Sequence, residues 1–312
     1  MIKELILSLK SPNRDDYNVY GYRFGSGSPS IAIVGGIVGH NLDQMFTASK
    51  LVDFLRRKTN ENRDFVKGSI LIIPAVNVFA LNMAEKYWPL DNTDIDAMFP
   101  GYELGETTQR IAYMLFEKLK GFDYGVILEG RKDQAVCMPY MKLLKSGYES
   151  IEDAKSFGLR FIHHKELSPM DTATLAYNWQ VWNTKTFSIV WGRSSTINEN
   201  DSSIIKDSIV RFMSKKNVID HPVFEGANSN ITDRSKIEVI KSSRAGIFLP
   251  EATPGKSVIK GEFLGYIKHS MEGSTLEKIY ATHDGVISCI YGYPLIFENS
   301  IAFRIVTADD IA

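Results

Sequence analysis

The sequence predicts an α/β protein in which a mostly parallel or mixed sheet, flanked by helices, is followed by a small all-β module at the carboxyl end. Short apolar runs that read as buried strands alternate with amphipathic stretches at helical spacing through the first two thirds of the chain. Helical periodicity is lost after Lys216. From about His221 onward Gly, Ser, Thr and β-branched residues dominate, with turn signals at Pro254-Gly255, Lys260-Gly261 and Asp284-Gly285.

In chain order, residues 30–35 (SIAIVG) read as a buried strand that Gly35-Gly36 breaks. Over residues 42–57, Met45, Leu51, Phe54 and Leu55 fall at helical spacing. A second apolar strand is expected at residues 69–74. A helix over 107–119 carries Ile111, Met114, Leu115 and Leu119 on one face, and a third strand follows at 124–128. A strand at 187–191 and a helix over 204–215 complete this domain, expected to span residues 1–220, with the β-barrel or sandwich module over 221–312. Parallel strands deliver their carboxyl ends to one edge, so residues 35–43, 77–100 and 129–139 are expected to line a shared cleft.

With 312 residues and 44% hydrophobic composition, the chain has material for one large core and one small one. Basic and acidic side chains nearly cancel, 36 against 37, which gives no reason to expect nucleic acid or an anionic membrane as a partner. A small neutral or mixed-charge ligand, a small molecule or a peptide, is the default. Cys137 and Cys289 are too few for a disulfide framework and read as free buried thiols of a reducing, cytoplasmic compartment. The opening MIKELILSLK has no apolar run of secretory length.

Four segments resemble a known family. Residues 91–112 (DNTDIDAMFPGYELGETTQRIA) are similar to an Asp-Leu-Asn-Arg-x-Phe-Pro-Gly segment that leads into a helix. Asn77 in IPAVNVFA resembles the Asn of a preceding Pro-Ala-x-Asn-Pro motif. Residues 34–41 (VGGIVGHN) resemble a Gly-Gly-x-His-Gly-x-Glu turn, and 123–129 (DYGVILE) an Asp-x-x-x-Asp-Leu-His strand. These are motifs of the succinylglutamate desuccinylase/aspartoacylase family of the zinc carboxypeptidase-like superfamily. Residues 245–267 and 281–287 resemble that family's carboxyl-terminal module, itself similar to lipoyl-carrier barrels.

The resemblance implies a zinc-dependent amide hydrolase, and the departures remove its parts. Zinc hydrolysis needs three protein ligands, an open position for water and a general base. Val38 falls at the position of the family's first His, Asn41 at that of its Glu, and Glu129 at that of its second His. Ala97 replaces the Arg expected to bind a substrate carboxylate, with Asp96 beside it, and Val190 falls where the catalytic Glu is expected.

Two readings of the remaining polar residues stay open. His40 and Asp43 either cap the helix that follows or join Asp94, Asp96 and Glu129 in a relocated site for zinc or another divalent metal. Asp94 and Asp96 either fix their own turn or bind ligand, with Glu129 and Asp96 as the candidate catalytic carboxylates. Asn77, Asp94, Asp96, Trp179 and Trp182 are the candidate substrate contacts; the aromatic run 177–182 otherwise packs on the sheet. Glu106 and Arg110 are spaced to pair on one helix. His163 and His164 read as a solvated loop pair, and Cys137 as an inert thiol before a nucleophile. These residues favour a non-catalytic partner or regulatory subunit, in a homo- or hetero-oligomer with a homologous subunit and with no cofactor. The alternative is a metal-dependent amidohydrolase acting on an N-acyl amino acid or small peptide.

Overall fold

The computed structural model describes residues 1–13, 15–131, 135–192 and 196–307. An amino-terminal hairpin, β1 (Ile2–Leu9) and β2 (Tyr17–Gly25), leads into β3 (Ser30–Val34). There follow α1 (Leu42–Glu61), β4 (Ser69–Ile73), α2 (Val78–Met83), α3 (Thr107–Leu119) and β5 (Tyr124–Gly130). Next come β6 (Ala135–Cys137), β7 (Tyr140–Lys145), α4 (Ile151–Lys155), β8 (Phe161–Glu166), α5 (Leu175–Val181), β9 (Lys185–Trp191), α6 (Glu199–Lys215) and β10 (Asn230–Thr232).

Nine of these strands form one sheet in the order β1-β2-β4-β3-β5-β9-β7-β8-β10. Its central strands β4, β3, β5 and β9 run parallel, while β7 pairs antiparallel with β9. Both faces are covered. Successive side chains of a strand point to opposite faces, so Ile31 and Ile33 pack with Leu51, Leu55 and Ile209 on the α1/α6 side. Ala32 and Val34 pack with Ile111, Leu115 and Trp179 on the α3/α5 side. Burial of each such large side chain stabilises by about 1.5–3 kcal/mol.

Gly101 shows why the Phe-Pro-Gly segment needs its glycine. Its φ is +88°, and a Cβ there would fall 2.1 Å from the backbone nitrogen of Tyr113 on α3.

The remaining strands are β11 (Ile237–Lys241), β12 (Gly246–Pro250), β13 (Ser257–Val258), β14 (Phe263–Lys268), β15 (Thr275–Tyr280), β16 (Gly285–Tyr291), β17 (Leu295–Ile296) and β18 (Ile301–Thr307). They form two sheets, β11-β18-β16-β13 and β15-β14-β12-β17, which share a core around Phe248, Leu264, Ile267 and Phe303. The two parts of the chain interlock across residue 221. β10, at 230–232, still pairs with β8, while β6 leaves the large sheet to pair with β16.

Cys137 and Cys289, opposite each other in that last pairing, are joined by a disulfide. The expectation of free thiols is therefore corrected, and with it Cys137 as a nucleophile. The reducing compartment inferred from free thiols loses that support. Strand pairing brings together two cysteines 152 residues apart, which spacing alone did not reveal. Among the described residues no helix is long and apolar enough to cross a membrane.

Candidate functional site

Three loops meet at the carboxyl ends of β3, β4 and β5. The Gly36 carbonyl accepts from the backbone N–H groups of Val76 (3.1 Å) and Asn77 (2.8 Å), tying the loop after β3 to the loop after β4. Asn77 is buried, and its side chain caps α2 by accepting from the Ala80 N–H at 3.2 Å. Asp94 caps a short 3-10 turn, Ile95–Ala97, by accepting from the Asp96 N–H at 3.0 Å. Ile37, Val38, Asn41, Asp96 and residues 127–130 then enclose a crevice of about 10 Å³, room for one water at most. Residues 132–134 of the segment after β5 lie outside the described residues.

The principal charges here are Glu129 and Lys142. Lys142, on β7, donates to the Glu129 carboxylate, with the two side chains 21% and 17% exposed. Burial disfavours the ammonium, but the charges of Glu129 and Asp96 outweigh it and hold Lys142 above the ordinary lysine value. This residue was missed in the sequence. The available signal was a lysine inside the otherwise apolar run YMKLL; its partner lies 13 residues upstream.

His40 and Asp43 have different surroundings. Asp43 is fully buried, and Asn41, which precedes α1, makes no side-chain cap. Asp43 accepts from the Trp191 indole N–H at 2.8 Å and from the Ser202 hydroxyl at 2.7 Å, clamping the end of β9 to the start of α6. Burial raises its pKa against those hydrogen bonds, and burial together with Asp43 pushes Asp201 up to about 6. His40 is pulled down by burial and by Lys86, with Asp94 opposing. The five-residue metal set is therefore divided: His40 lies toward Asp94, Asp43 is committed to Trp191 and Ser202, and Glu129 to Lys142. Among the described residues no group of three or more His, Cys, Asp or Glu is arranged to hold a metal.

Trp179 and Trp182 lie elsewhere than in the crevice. Trp179 is fully buried, donates to the Leu119 carbonyl at 3.1 Å and covers Gly125, where a Cβ would meet its ring at 2.5 Å. Trp182 is 52% exposed and packs on Phe116 and Lys120. His163 and His164 are on strand β8 and not on a solvated loop; His164 bonds Glu149 at 3.0 Å. Glu106 precedes α3, its backbone N–H bonded to the Gln109 side chain, and no Glu106–Arg110 ion pair forms among the described residues.

This architecture matches solved structures over nearly the whole chain. One is a succinylglutamate desuccinylase/aspartoacylase from Rhodobacter sphaeroides, with TM-score 0.75 and 18% identity over 97% of this chain and 95% of that one. A succinylglutamate desuccinylase from Silicibacter sp. TM1040 gives TM-score 0.78 and 14% identity over 98% and 94%. The product-bound ectoine utilization protein EutE (DoeB) from Ruegeria pomeroyi gives TM-score 0.77 and 15% identity over 98% and 95%. The chain thus has the succinylglutamate desuccinylase/aspartoacylase fold. No protein-family model and no curated protein sequence matches it.

Within that fold, the residues at the zinc-ligand positions do not fit the metal. Val38 offers no donor and is buried on the wall of the crevice beside Asn41, Asp96 and Glu129. Glu129 is already neutralised by an ammonium, and the crevice has no volume for a metal with its water and substrate.

Proposed function

We propose that the protein is a non-catalytic binding or regulatory subunit built on an amide-hydrolase fold, working with a homologous subunit or a small-molecule or peptide ligand. The observation that carries this reading is the Glu129–Lys142 pair. A protein cation satisfies the carboxylate at a metal-ligand position, so a divalent ion would have to displace a partly buried ammonium that Asp96 also attracts. Val38 and Val190 fall at the positions of a metal ligand and the general base, and a positioned base alone contributes about 10²–10⁴-fold to rate. The fold is kept while the chemistry is filled in, which is what a retained surface or ligand cleft requires.

The test is to purify the chain, dialyse it against zinc, manganese or magnesium, measure bound metal by elemental analysis, and screen N-acyl amino acids and short peptides for hydrolysis. The expected result is neither stoichiometric metal nor turnover. Metal-dependent turnover lost in His40→Ala or Glu129→Ala would overturn the reading in favour of a relocated-metal amidohydrolase.

A further inference from the structure

A second and much larger cavity, about 710 Å³, opens between the β7/β8/β10 edge of the large sheet and the β11/β18/β16 sheet of the module. Its volume is that of a small-molecule site. Apolar side chains come to its wall from both sheets: Met138 from just before β7, Phe161 from β8, Ile237 from β11, and Ile301 and Val306 from β18. Phe161, Val306, Met138 and Ile237 belong to one packed cluster, so this surface is continuous.

The charged groups on the wall compensate one another. Glu166 is engaged by Lys145 at 2.7 Å, and Lys165 by Asp171 at 2.6 Å. Arg131 donates to the Tyr140 hydroxyl at 2.9 Å, and neither it nor Arg304 is without a partner in the structure. Asp233 keeps its negative charge, because the Ser235 hydroxyl and backbone N–H that it accepts from hold its carboxyl below the usual carboxylate value. Arg234, beside it in the chain, is exposed. A wall so balanced favours neither an anion nor a cation, and an ion entering it loses water for little return.

One polar group stands outside this balance. His163, two residues beyond Phe161 on β8, lines the cavity, and its buried Nδ1 has no hydrogen-bond partner in the chain. Buried polar atoms in native structures are nearly always paired. Burial, helped by Arg131 and Lys165 and opposed by Asp233, holds His163 below the ordinary imidazole value, so the ring is neutral near neutral pH. A neutral imidazole has one nitrogen that donates and one that accepts. Hydroxyl and amide groups do both and match either tautomer, whereas a carboxylate only accepts and an ammonium only donates.

We propose that this cavity is a binding site for an uncharged amphipathic small molecule, its hydroxyl or amide head paired with the His163 imidazole and its apolar body against Met138, Phe161, Ile237 and Val306. Removing the body from water supplies the affinity, and the single hydrogen bond fixes the orientation. The site lies apart from the zinc-ligand positions, sharing no wall residue with the small crevice. It does not depend on whether the protein hydrolyses amides.

The experiment is calorimetric titration of the intact, oxidised chain, at about pH 7.5, with four probes built on one eight-carbon chain: octanol, octanamide, octanoate and octylamine. Octanol and octanamide each bind at least about ten-fold tighter than octanoate and octylamine, whose charges resist burial. His163→Phe weakens octanol and octanamide about five-fold, the loss of one uncharged hydrogen bond. His283→Phe, on the exposed surface of the module, leaves both within about two-fold. Val239→Trp, at the exposed mouth of the cavity, abolishes binding, and it decides the matter alone should His163→Phe fail to fold. Octanoate or octylamine within ten-fold of octanol, no binding of octanol or octanamide, or unchanged octanol affinity in either variant overturns the proposal. None of these outcomes alters the metal and turnover measurements that test the proposed function.

Discussion

Glu129 and Lys142 face each other across β9. Glu129 pairs in register with Val190 on one side of that strand, Tyr140 pairs with Val190 on the other, and the lysine two residues beyond Tyr140 reaches back to the carboxylate. Neither charge is buried alone. Glu129 is the residue that the family resemblance places at a zinc-ligand position.

Removing one partner leaves the other charged and poorly solvated. Lys142→Met and Glu129→Gln are each expected to destabilise the protein by about 1–3 kcal/mol, below the range for fully buried pairs because both side chains keep some exposure. The double variant should be more stable than the sum of the singles implies. Urea unfolding of all four proteins gives the coupling energy, and additive losses would contradict the pairing.

Rebuilding the metal centre should need both addition and removal. Val38→His with Asn41→Glu and Glu129→His is expected to bind zinc poorly while Lys142 stays. Adding Lys142→Met is expected to raise bound zinc toward about one per chain. Elemental analysis after dialysis reads this directly; equal zinc in the two variants would show that Lys142 does not compete.

The disulfide closes a loop of 152 residues between the two parts of the chain. Thiol titration should find no reactive cysteine in the native protein and two after reduction in denaturant. The Cys137→Ser, Cys289→Ser double variant should lose about 2–4 kcal/mol of stability, and reduced wild type should behave alike.

Asp201 sets a pH dependence. Its carboxyl is held at about 6 in the folded protein against 3.8 as the ordinary value, first by burial and then by Asp43. Since the folded state binds this proton more tightly, its stabilising contribution is complete below about pH 4 and lost as pH rises through about 6. Asp201→Asn is expected to be more stable than wild type at pH 7.5 by on the order of 1 kcal/mol, after allowing for solvent screening of a partly exposed group. That advantage should vanish near pH 4 in thermal unfolding scans.

The two tryptophans first read as ligand contacts should separate cleanly. Trp179→Ala is expected to cost about 3–5 kcal/mol through the cavity it leaves, whereas Trp182→Ala, half exposed, should cost under about 1 kcal/mol.

Much of the architecture was legible because it rests on local periodicity. The strands at 30–34, 69–73 and 124–130 are apolar on both faces, and α3 carries its stripe at Ile111, Leu115 and Leu119, patterns that few other structures accommodate. The amino-terminal hairpin and β7–β8 were not read. The pair Leu143-Leu144 breaks the alternation of β7 and His163-His164 that of β8, and strands at or near a sheet edge tolerate polar residues that make them look like loops. The motif segments place Val38, Asn41 and Glu129 at the loop ends, where a metal centre would need other residues.

What the sequence determined by itself was therefore the class of fold and the residue identities at Val38 and Val190, side chains that can neither ligate a metal nor act as a base. Tertiary structure alone decided which charges meet. Whether Asp43 capped a helix or bound a metal, whether Cys137 was free, and what stood opposite Glu129 all depended on residues distant in the chain: Trp191 and Ser202, Cys289, and Lys142 on a strand that had not been recognised. Side-chain partners of that kind are set by strand order and register, which place residues side by side only once the whole sheet has formed.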